Sequence, residues 1–159
     1  MNINIICIGK LKEKYWQAAV AENTKRIGGD ARIQIVELKE SKPPKNASPA
    51  DESQVMEKEG ETILSKIGES DYGIAMEEEG KMLDSGELSR HLTKTFDSGR
   101  STVDFIIGGS LGLSAAVKKR ADFGLSFSRM TFPHQMARVL LLEQIYRSFK
   151  IANNETYHK

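Results

Sequence analysis

The stretch Ile106-Ile107-Gly108-Gly109-Ser110-Leu111-Gly112 joins the end of an apolar run to a turn that contains three glycines. Glycine has no side chain, so its backbone can approach a ligand closely or adopt turns that other residues avoid. A plain strand-to-helix turn has the same composition, and glycine content alone does not separate the two interpretations. With the apolar residues from Thr102 onward, the stretch predicts a strand that ends at a ligand crevice.

Apolar runs alternate with segments of helical spacing along the rest of the sequence. The run from Arg32 to Leu38 is apolar on both of its faces, which is typical of a sheet covered on both sides. We therefore predict an α/β fold with a mainly parallel sheet and helices on both faces. The predicted strands are Asn2 to Gly9, Arg32 to Leu38, Tyr72 to Met76, Thr102 to Ile107 and Phe123 to Ser126; the predicted helices are Lys12 to Ile27, Pro49 to about Ile67, one capped by Ser85, Ser114 to Arg120, and one starting near Pro133.

Capping signals mark the starts of two of these helices. Ser48 precedes Pro49 and Asp51; a serine hydroxyl can accept from a free amide of the first turn, and proline fits its first position. We expect Ser85 to cap the following long helix in the same way.

Length and composition fit one folding unit. The chain has 159 residues and 39% apolar content, which suffices for one continuous core, so we expect a single domain over residues 1–159 with a functional tail at 152–159. No apolar run reaches the length of a membrane span and the N-terminus lacks a secretory signal, so a cytoplasmic location is expected. The lone Cys7 lies in an apolar run, which favours a packed thiol, and no metal-ligand spacing is present.

The charge is unevenly distributed along the sequence. The net charge is +1, but residues 118–159 carry eight Lys/Arg against three Asp/Glu, a local charge of +5, and the remainder carries −4. Such asymmetry suits contact with a phosphate backbone through one face, and an ordinary solvated surface explains it equally well. Arg147 and Lys150 share a helical face. This pair is explained either by a small phosphate-binding patch or by an ordinary solvated surface.

The last predicted helix is apolar around most of its circumference from Met136 to Phe149. One sheet cannot cover all of that surface, and the last element of a small protein is expected on its outside. We therefore expect a homodimer in which this helix packs on its copy, with burial inside its own domain as the alternative.

The candidate ligand residues follow the predicted strands. The glycines fit neither nucleotide-binding signature, because no Gly-Lys-Ser/Thr follows them and they do not follow the first strand. The pattern favours a small ligand held by main-chain hydrogen bonds and apolar walls, without hydrolase chemistry. The acidic run Glu77-Glu78-Glu79 is expected to be a solvated turn without a catalytic role. The expected apolar walls are Met76, Leu111, Leu113, Met130 and Phe132.

Several of these segments together match a known pattern. The chain resembles the ribosomal RNA large-subunit methyltransferase H (RlmH) family of the SPOUT superfamily of knotted methyltransferases, close to full length. The matching segments are Ile107 to Ser114, Leu125 to His134, Arg138-Val139-Leu140, Tyr146-Arg147, Tyr157-His158-Lys159, Lys45-Asn46-Ala47 and Lys58-Glu59-Gly60-Glu61.

The resemblance implies methyl transfer from S-adenosylmethionine, which becomes S-adenosylhomocysteine, to N3 of a pseudouridine in a 23S rRNA stem-loop. It further implies action on the assembled 70S ribosome by a homodimer and a C-terminal trefoil knot. The family's cofactor-binding positions fall here on Met76, Gly108, Phe127, Ser128, Arg129, Met130, Thr131 and Phe132. No metal and no membrane take part.

The resemblance also assigns roles to the tail. His158 is a candidate for substrate positioning or general base catalysis, Tyr157 can stack on a base, and Arg147 and Lys159 can bind RNA phosphates. Lysine as the final basic residue departs from the arginine expected in some relatives, which removes a bidentate contact. Two alternatives stay open at this point: a non-catalytic ribosome-binding factor that retains the fold, and a nucleotide-dependent small-molecule enzyme.

Overall fold

Five strands and five helices alternate in the order that the sequence predicts. The computed structural model describes residues 1–159. The predicted bounds of the second, fourth and fifth strands are confirmed to the residue. The elements are β1 (Asn2–Ile8), α1 (Lys14–Ile27), β2 (Arg32–Leu38), α2 (Pro49–Leu64), β3 (Tyr72–Met82), α3 (Ser85–Asp97), β4 (Thr102–Ile107), α4 (Ala115–Arg120), β5 (Phe123–Ser126) and α5 (His134–Ala152).

All strand pairs in the sheet are parallel, in the order β2-β1-β4-β3-β5. Ile8 pairs with Leu38 at the ends of β1 and β2, and Cys7 pairs with Ile107 at the end of β4. Because every strand runs in the same direction, the segments that follow the strands meet at one edge. The predicted parallel sheet is therefore confirmed, and its carboxyl edge is the place to look for a site.

Helices cover both faces of the sheet, as predicted. Ile5 and Cys7 pack in the core beneath α1, α3 and α5, whereas Ile6 and Ile8 pack in a second core beneath α2 and α4. This alternation of side chains between two covered faces explains why β1 is continuously apolar from Ile5 to Ile8. Cys7 is fully buried, and burial raises the pKa of its thiol to about 11, so the packed thiol is confirmed.

One helix cap is confirmed and the other is wrong. The Ser48 side chain accepts from the Asp51 amide, and the Asp51 side chain accepts from the Ser48 amide. The second cap is Asp84, which makes the same reciprocal pair with Glu87, because a carboxylate one position earlier already accepts from the free amide. Ser85 is the first residue of α3, and its hydroxyl donates to Gln144 of α5 at 2.7 Å.

β3 continues six residues beyond its predicted end at Met76. After an irregularity the strand pairs again with β5, where Lys81 lies opposite Leu125 and Met82 opposite Ser126. A Cβ on Gly80 would lie 2.7 Å from the Gly124 carbonyl carbon, so only glycine allows this close approach. The acidic run is therefore part of an extended strand, and the prediction of a solvated turn is wrong.

The prediction that α5 lies on the outside is wrong for its second half. Its apolar surface is covered within the chain, because α5 packs on the sheet between α1 and α3. Leu141, Leu142 and Ile145 are fully buried there. The apolar excess near the start of α5 is different, since Met136 is 37% exposed. Only this first part leaves apolar surface for another molecule to cover.

Candidate functional site

A cavity of about 320 Å³ opens at the carboxyl edge of the sheet, within the size range of small-molecule sites. Three segments surround it: the end of β3, the glycine turn after β4 and the segment after β5. The start of α5 closes the remaining side. Its lining residues are Met76 to Glu79, Ile107 to Ser110, Gly112, Leu113, Lys118, Leu125 to Ser128, Met130 to Phe132, His134 and Ala137.

The glycine turn needs glycine at two positions for different reasons. Gly112 has φ +86°, a conformation that other residues rarely adopt, and its amide donates to the Gly109 carbonyl oxygen at 3.0 Å. A Cβ on Gly108 would lie 2.9 Å from the Gly112 carbonyl group, so a side chain there would force the turn open. The turn thus presents bare backbone to the cavity, as the sequence pattern indicates.

The segment after β5 is held by short local hydrogen bonds. The Met130 amide donates to Ser128 Oγ at 3.0 Å, and Ser126 Oγ donates to the Ser128 carbonyl oxygen at 3.0 Å. Thr131 Oγ1 donates to the Glu78 carboxylate and thereby joins this segment to β3. Met130 is 73% exposed at the mouth of the cavity, an unusual exposure for a methionine.

Seven of the eight residues assigned to the cofactor by resemblance line this one cavity. Arg129 does not line it; its guanidinium lies 3.5 Å from the Glu78 carbonyl oxygen. Of the expected apolar walls, Leu111 is also absent from the lining, although its neighbours Ser110 and Gly112 are part of it. The structure therefore brings together residues that are more than 50 positions apart in the sequence.

Glu77 lines the cavity, although the sequence pattern predicts only a solvated turn at this position. Its Oε2 atom is buried without a hydrogen-bond partner, and the Lys118 ammonium lies 4.0 Å away. A Cβ on Gly124 would come within 2.5 Å of Glu77 Oε1, so the carboxylate lies flat on a glycine of β5. A buried acceptor without a donor is costly, which points to a ligand group that donates to it. The position of Glu77 directly after Met76, at the end of a predicted strand, is the signal in the sequence that indicates a place in the cavity.

Two buried ionic groups fix the surroundings of the cavity. Arg138 of α5 is 2% exposed; it pairs with Glu37 Oε2 at 2.7 Å and donates to the Gly9 carbonyl oxygen at 2.8 Å. Glu59 of α2 is also buried and accepts from the Ser41 amide, and burial raises the pKa of its carboxyl group. These contacts attach the segments after β1 and β2 to helices that border the site.

The C-terminal tail folds back on α5 in a second cluster. Arg147 donates to Glu143 through Nε and Nη2 and lies 4.7 Å from the centre of the Tyr157 ring. The Tyr157 hydroxyl donates to Glu143 at 3.0 Å. His158 Nδ1 lies 3.1 Å from Arg147 Nη1. Because a guanidinium only donates, Nδ1 is the acceptor in this pair and the imidazole carries its proton on Nε2.

This tail cluster does not lie at the cavity of the same chain. His134 lines the cavity, and Arg147 comes 13 residues later on the same helix, which corresponds to roughly 20 Å along its axis. Lys159 is exposed and makes no side-chain hydrogen bond or ion pair. The predicted cofactor and RNA-binding residues therefore form two separate groups in one chain.

The structure brings no three His, Cys, Asp or Glu side chains together in a way that could hold a metal ion. None of its helices has the length and apolar character needed to cross a membrane. The lining offers an organic ligand main-chain groups, apolar contacts and the buried carboxylate oxygen of Glu77. Its own side chains offer no activated nucleophile.

Comparison with known proteins agrees with this geometry. A family model described as "Predicted SPOUT methyltransferase" matches residues 1–158. "Ribosomal RNA large subunit methyltransferase H 1" from Clostridium perfringens is 50% identical over the whole of both chains, and "Ribosomal RNA large subunit methyltransferase H" from Clostridium botulinum is 52% identical over the same extent. A solved structure of "a probable methylase family protein" from Haemophilus influenzae has a TM-score of 0.56 at 13% identity, covering 99% of this chain and 70% of that one.

Proposed function

This chain belongs to the SPOUT methyltransferase family, and from that premise we propose that it transfers a methyl group from S-adenosylmethionine to large-subunit ribosomal RNA. The relatives named for this activity align with it from end to end at about half identity. The observation that carries the proposal is one cavity lined by seven of the eight residues that are expected to bind the cofactor, which follow or end β3, β4 and β5. We assign the acceptor as N3 of a pseudouridine in 23S rRNA on the 70S ribosome, in the cytoplasm.

The cavity residues fit the cofactor. S-adenosylmethionine supplies a methyl group on a positively charged sulfur. Gly108 and the segment Phe127 to Phe132 would bind it through main-chain groups and apolar contacts, with Met76 as a further wall. The unpartnered Glu77 oxygen would accept from its hydroxyl or amino groups. Several acidic side chains at the cavity suit a cationic donor.

Methyl transfer requires little from the protein beyond orientation of the two reactants. The pseudouridine N3 must lose a weakly acidic proton and attack the methyl group in line, so positioning supplies most of the rate. In the tail cluster both nitrogens of His158 are engaged or protonated, so His158 would need to leave Arg147 before it could act as a base. Substrate positioning by Tyr157, His158 and Lys159 is the assignment that we favour.

The separation of the two clusters supports a homodimer. If the tail of one subunit acts at the cavity of its partner, the distance of roughly 20 Å within one chain is no obstacle. Met136, which is exposed near the start of α5 and directly precedes the cavity residue Ala137, would lie in that interface. The family also implies a trefoil knot around the segments after β3, β4 and β5, in keeping with their convergence on one cavity.

The test is transfer of labelled methyl from S-adenosylmethionine to 70S ribosomes that lack the modification. Separate subunits and a mixture of small molecules serve as parallel acceptors. We expect label in 23S rRNA from the 70S particle. Cofactor binding without any transfer would instead favour a ribosome-binding factor that retains the fold, and absence of both would refute the proposal.

Mixed dimers test the crossed arrangement. One subunit lacks residues 157–159 and the other carries Gly108→Trp, which fills the cavity. If tails cross, the intact cavity of the truncated subunit receives the intact tail of the Gly108→Trp subunit. One of the two sites is then complete, so about half of the activity survives. If each tail serves its own chain, the mixed dimer is inactive.

A further inference from the structure

Six lysines in two short segments form an exposed basic surface that the proposed function does not use. Residues 10–14 contain three lysines and one glutamate, and residues 39–45 repeat that composition, which gives a local charge of +4. All six side chains are exposed, and none takes part in an ion pair. We call them the lysine surface: Lys10, Lys12, Lys14, Lys39, Lys42 and Lys45.

The basic C-terminal third, which the sequence singled out, has much less free charge in the structure. Arg138 pairs with Glu37, Arg147 pairs with Glu143, and Lys150 pairs with both Asp30 and Glu155. Lys118 and Arg120 also have carboxylate neighbours within 4.0 Å. Cations that already pair with carboxylates are poor sites for a polyanion, and of the eight cations in residues 118–159 only Lys119, Arg129 and Lys159 have no carboxylate within 4.0 Å.

The fold places the two lysine segments side by side. β1 and β2 are neighbours, and Ile8 pairs with Leu38 at the end of the ladder. The Gly9 amide donates to the Leu38 carbonyl oxygen at 2.7 Å, so Lys10 and Lys39 leave the sheet from adjacent positions. The segments follow strands of a parallel sheet and therefore lie at the same edge as the cavity.

The backbones of both segments are anchored beside the cavity. The Leu11 amide donates to Glu37 Oε2, the oxygen that also pairs with Arg138, and the next residue toward the helix start, Ala137, lines the cavity. The Ser41 amide donates to Glu59, whose Oε1 is 3.0 Å from the position of a Cβ on Gly109. Each segment is thus held at one residue, Leu11 or Ser41, that lies next to a lysine of this surface.

We propose that the lysine surface binds the sugar-phosphate backbone of ribosomal RNA and holds it beside the methyl-transfer cavity. The inference rests on the proposed function and specifies where its substrate docks. Lysine provides point charges for phosphates without reading bases, which suits a contact that positions a substrate. The cavity carries Glu77, Glu78 and Glu79 at its edge, so a polyanion is attracted to the lysines and not into the cofactor site.

The test compares two variants with the same change of charge. Lys12→Gln/Lys42→Gln/Lys45→Gln alters the lysine surface, and Lys25→Gln/Lys66→Gln/Lys94→Gln alters three exposed lysines near the C-terminal ends of α1, α2 and α3, at the opposite edge. Binding to unmodified 70S ribosomes is measured by sedimentation from 0.05 to 0.4 M KCl. S-adenosylmethionine binding by calorimetry reports on the integrity of the cavity.

We expect the slope of log affinity against log salt to fall by about 2 to 3 in the lysine-surface variant, at 0.7 to 0.9 for each lost contact. This change of slope corresponds to roughly a hundredfold weaker binding at 0.15 M salt. The control variant should retain both slope and affinity, and both variants should bind the cofactor as the parent does.

Equal slopes in the two variants would overturn the assignment while leaving the methyltransferase proposal intact. Weaker binding with an unchanged slope would point to a contact other than phosphate and would overturn it as well. A parent protein that neither binds nor methylates ribosomes would instead refute the proposed function and, with it, this inference.

Discussion

Asp104→Asn tests whether a carboxyl group buried in the sheet sets the pH dependence of stability. Asp104 lies in β4 with no exposed surface; its Oδ1 accepts from Asn4 Nδ2 at 2.8 Å and its Oδ2 has no partner. Burial, followed by the neighbouring Asp71 carboxyl group, raises the pKa of Asp104 from 3.8 to about 7. The folded protein therefore keeps a proton that the unfolded chain loses near pH 4.

The magnitude follows from the difference between the two pKa values. Between pH 4 and 7 the folded state binds more protons than the unfolded state, so the free energy of unfolding falls as pH rises, by up to about 1.4 kcal/mol per pH unit. From pH 5 to pH 8 the parent should lose about 2.5 kcal/mol through this group. The stabilisation is complete below pH 4 and is lost as pH passes the folded pKa.

Asparagine removes the titration and preserves the shape. Its carbonyl oxygen can still accept from Asn4, and its amide group has nearly the size of the carboxyl group that it replaces. We expect the difference in melting temperature, variant minus parent, to increase by about 5 to 10 °C between pH 5 and pH 8. Thermal unfolding followed by circular dichroism at half-unit pH steps measures it. Asp97→Asn, at an exposed carboxyl in α3, is the control.

Parallel curves for Asp104→Asn and the parent across this pH range would refute the reasoning. They would mean that the buried carboxyl group does not titrate between pH 5 and 8. A parallel shift in Asp97→Asn would not affect it, because an exposed carboxyl group contributes only a constant offset.

Three further changes test other parts of the molecule. Glu77→Gln should weaken S-adenosylmethionine binding about tenfold or more, measured by calorimetry, because the buried acceptor loses its charge; the exposed Glu57→Gln should not. Deletion of residues 157–159 should abolish methyl transfer to ribosomes while cofactor affinity stays within twofold, and a matching loss of cofactor affinity would contradict the separation of the two clusters. Leu142→Ala should lower the free energy of unfolding by about 2 to 5 kcal/mol in urea titrations, since Leu142 is fully buried.

The sequence was sufficient where local signals act alone. Ser48 with Pro49 and Asp51 specifies a helix start through contacts within one turn, and the glycine turn after β4 has a conformation that its own residues impose. The sequence is insufficient where the extent of a strand depends on pairing with a strand that is distant in the sequence. β3 extends past Met76 only because β5 pairs with Lys81 and Met82, and Gly124 leaves space for Glu77. Periodicity cannot reveal such pairing, because the partner lies more than 40 residues away.

The packing of the last helix likewise could not be predicted from the sequence. Its apolar circumference was the correct observation, but which neighbours cover it depends on the strand order, which places α1 and α3 on both sides of it. The burial of Leu141 and Ile145 follows from that order and not from any feature of the helix itself. The cavity was more predictable than the packing, because a parallel sheet always brings the ends of its strands to one edge.

The distribution of charge links the fold to its proposed chemistry. A cationic methyl donor and an anionic RNA must meet at one place, and each would be repelled by the surface that suits the other. The chain separates them over a short distance: carboxylates from the extended end of β3 lie at the cavity, and unpaired lysines follow β1 and β2. Arg138 and Glu37 form the boundary, since the buried Arg138 is neutralised by the more exposed Glu37 and holds α5 against the segment after β1. We therefore expect Glu37→Gln to weaken both ribosome binding and S-adenosylmethionine binding, whereas the lysine-surface variant should weaken ribosome binding alone; sedimentation and calorimetry measure the two affinities.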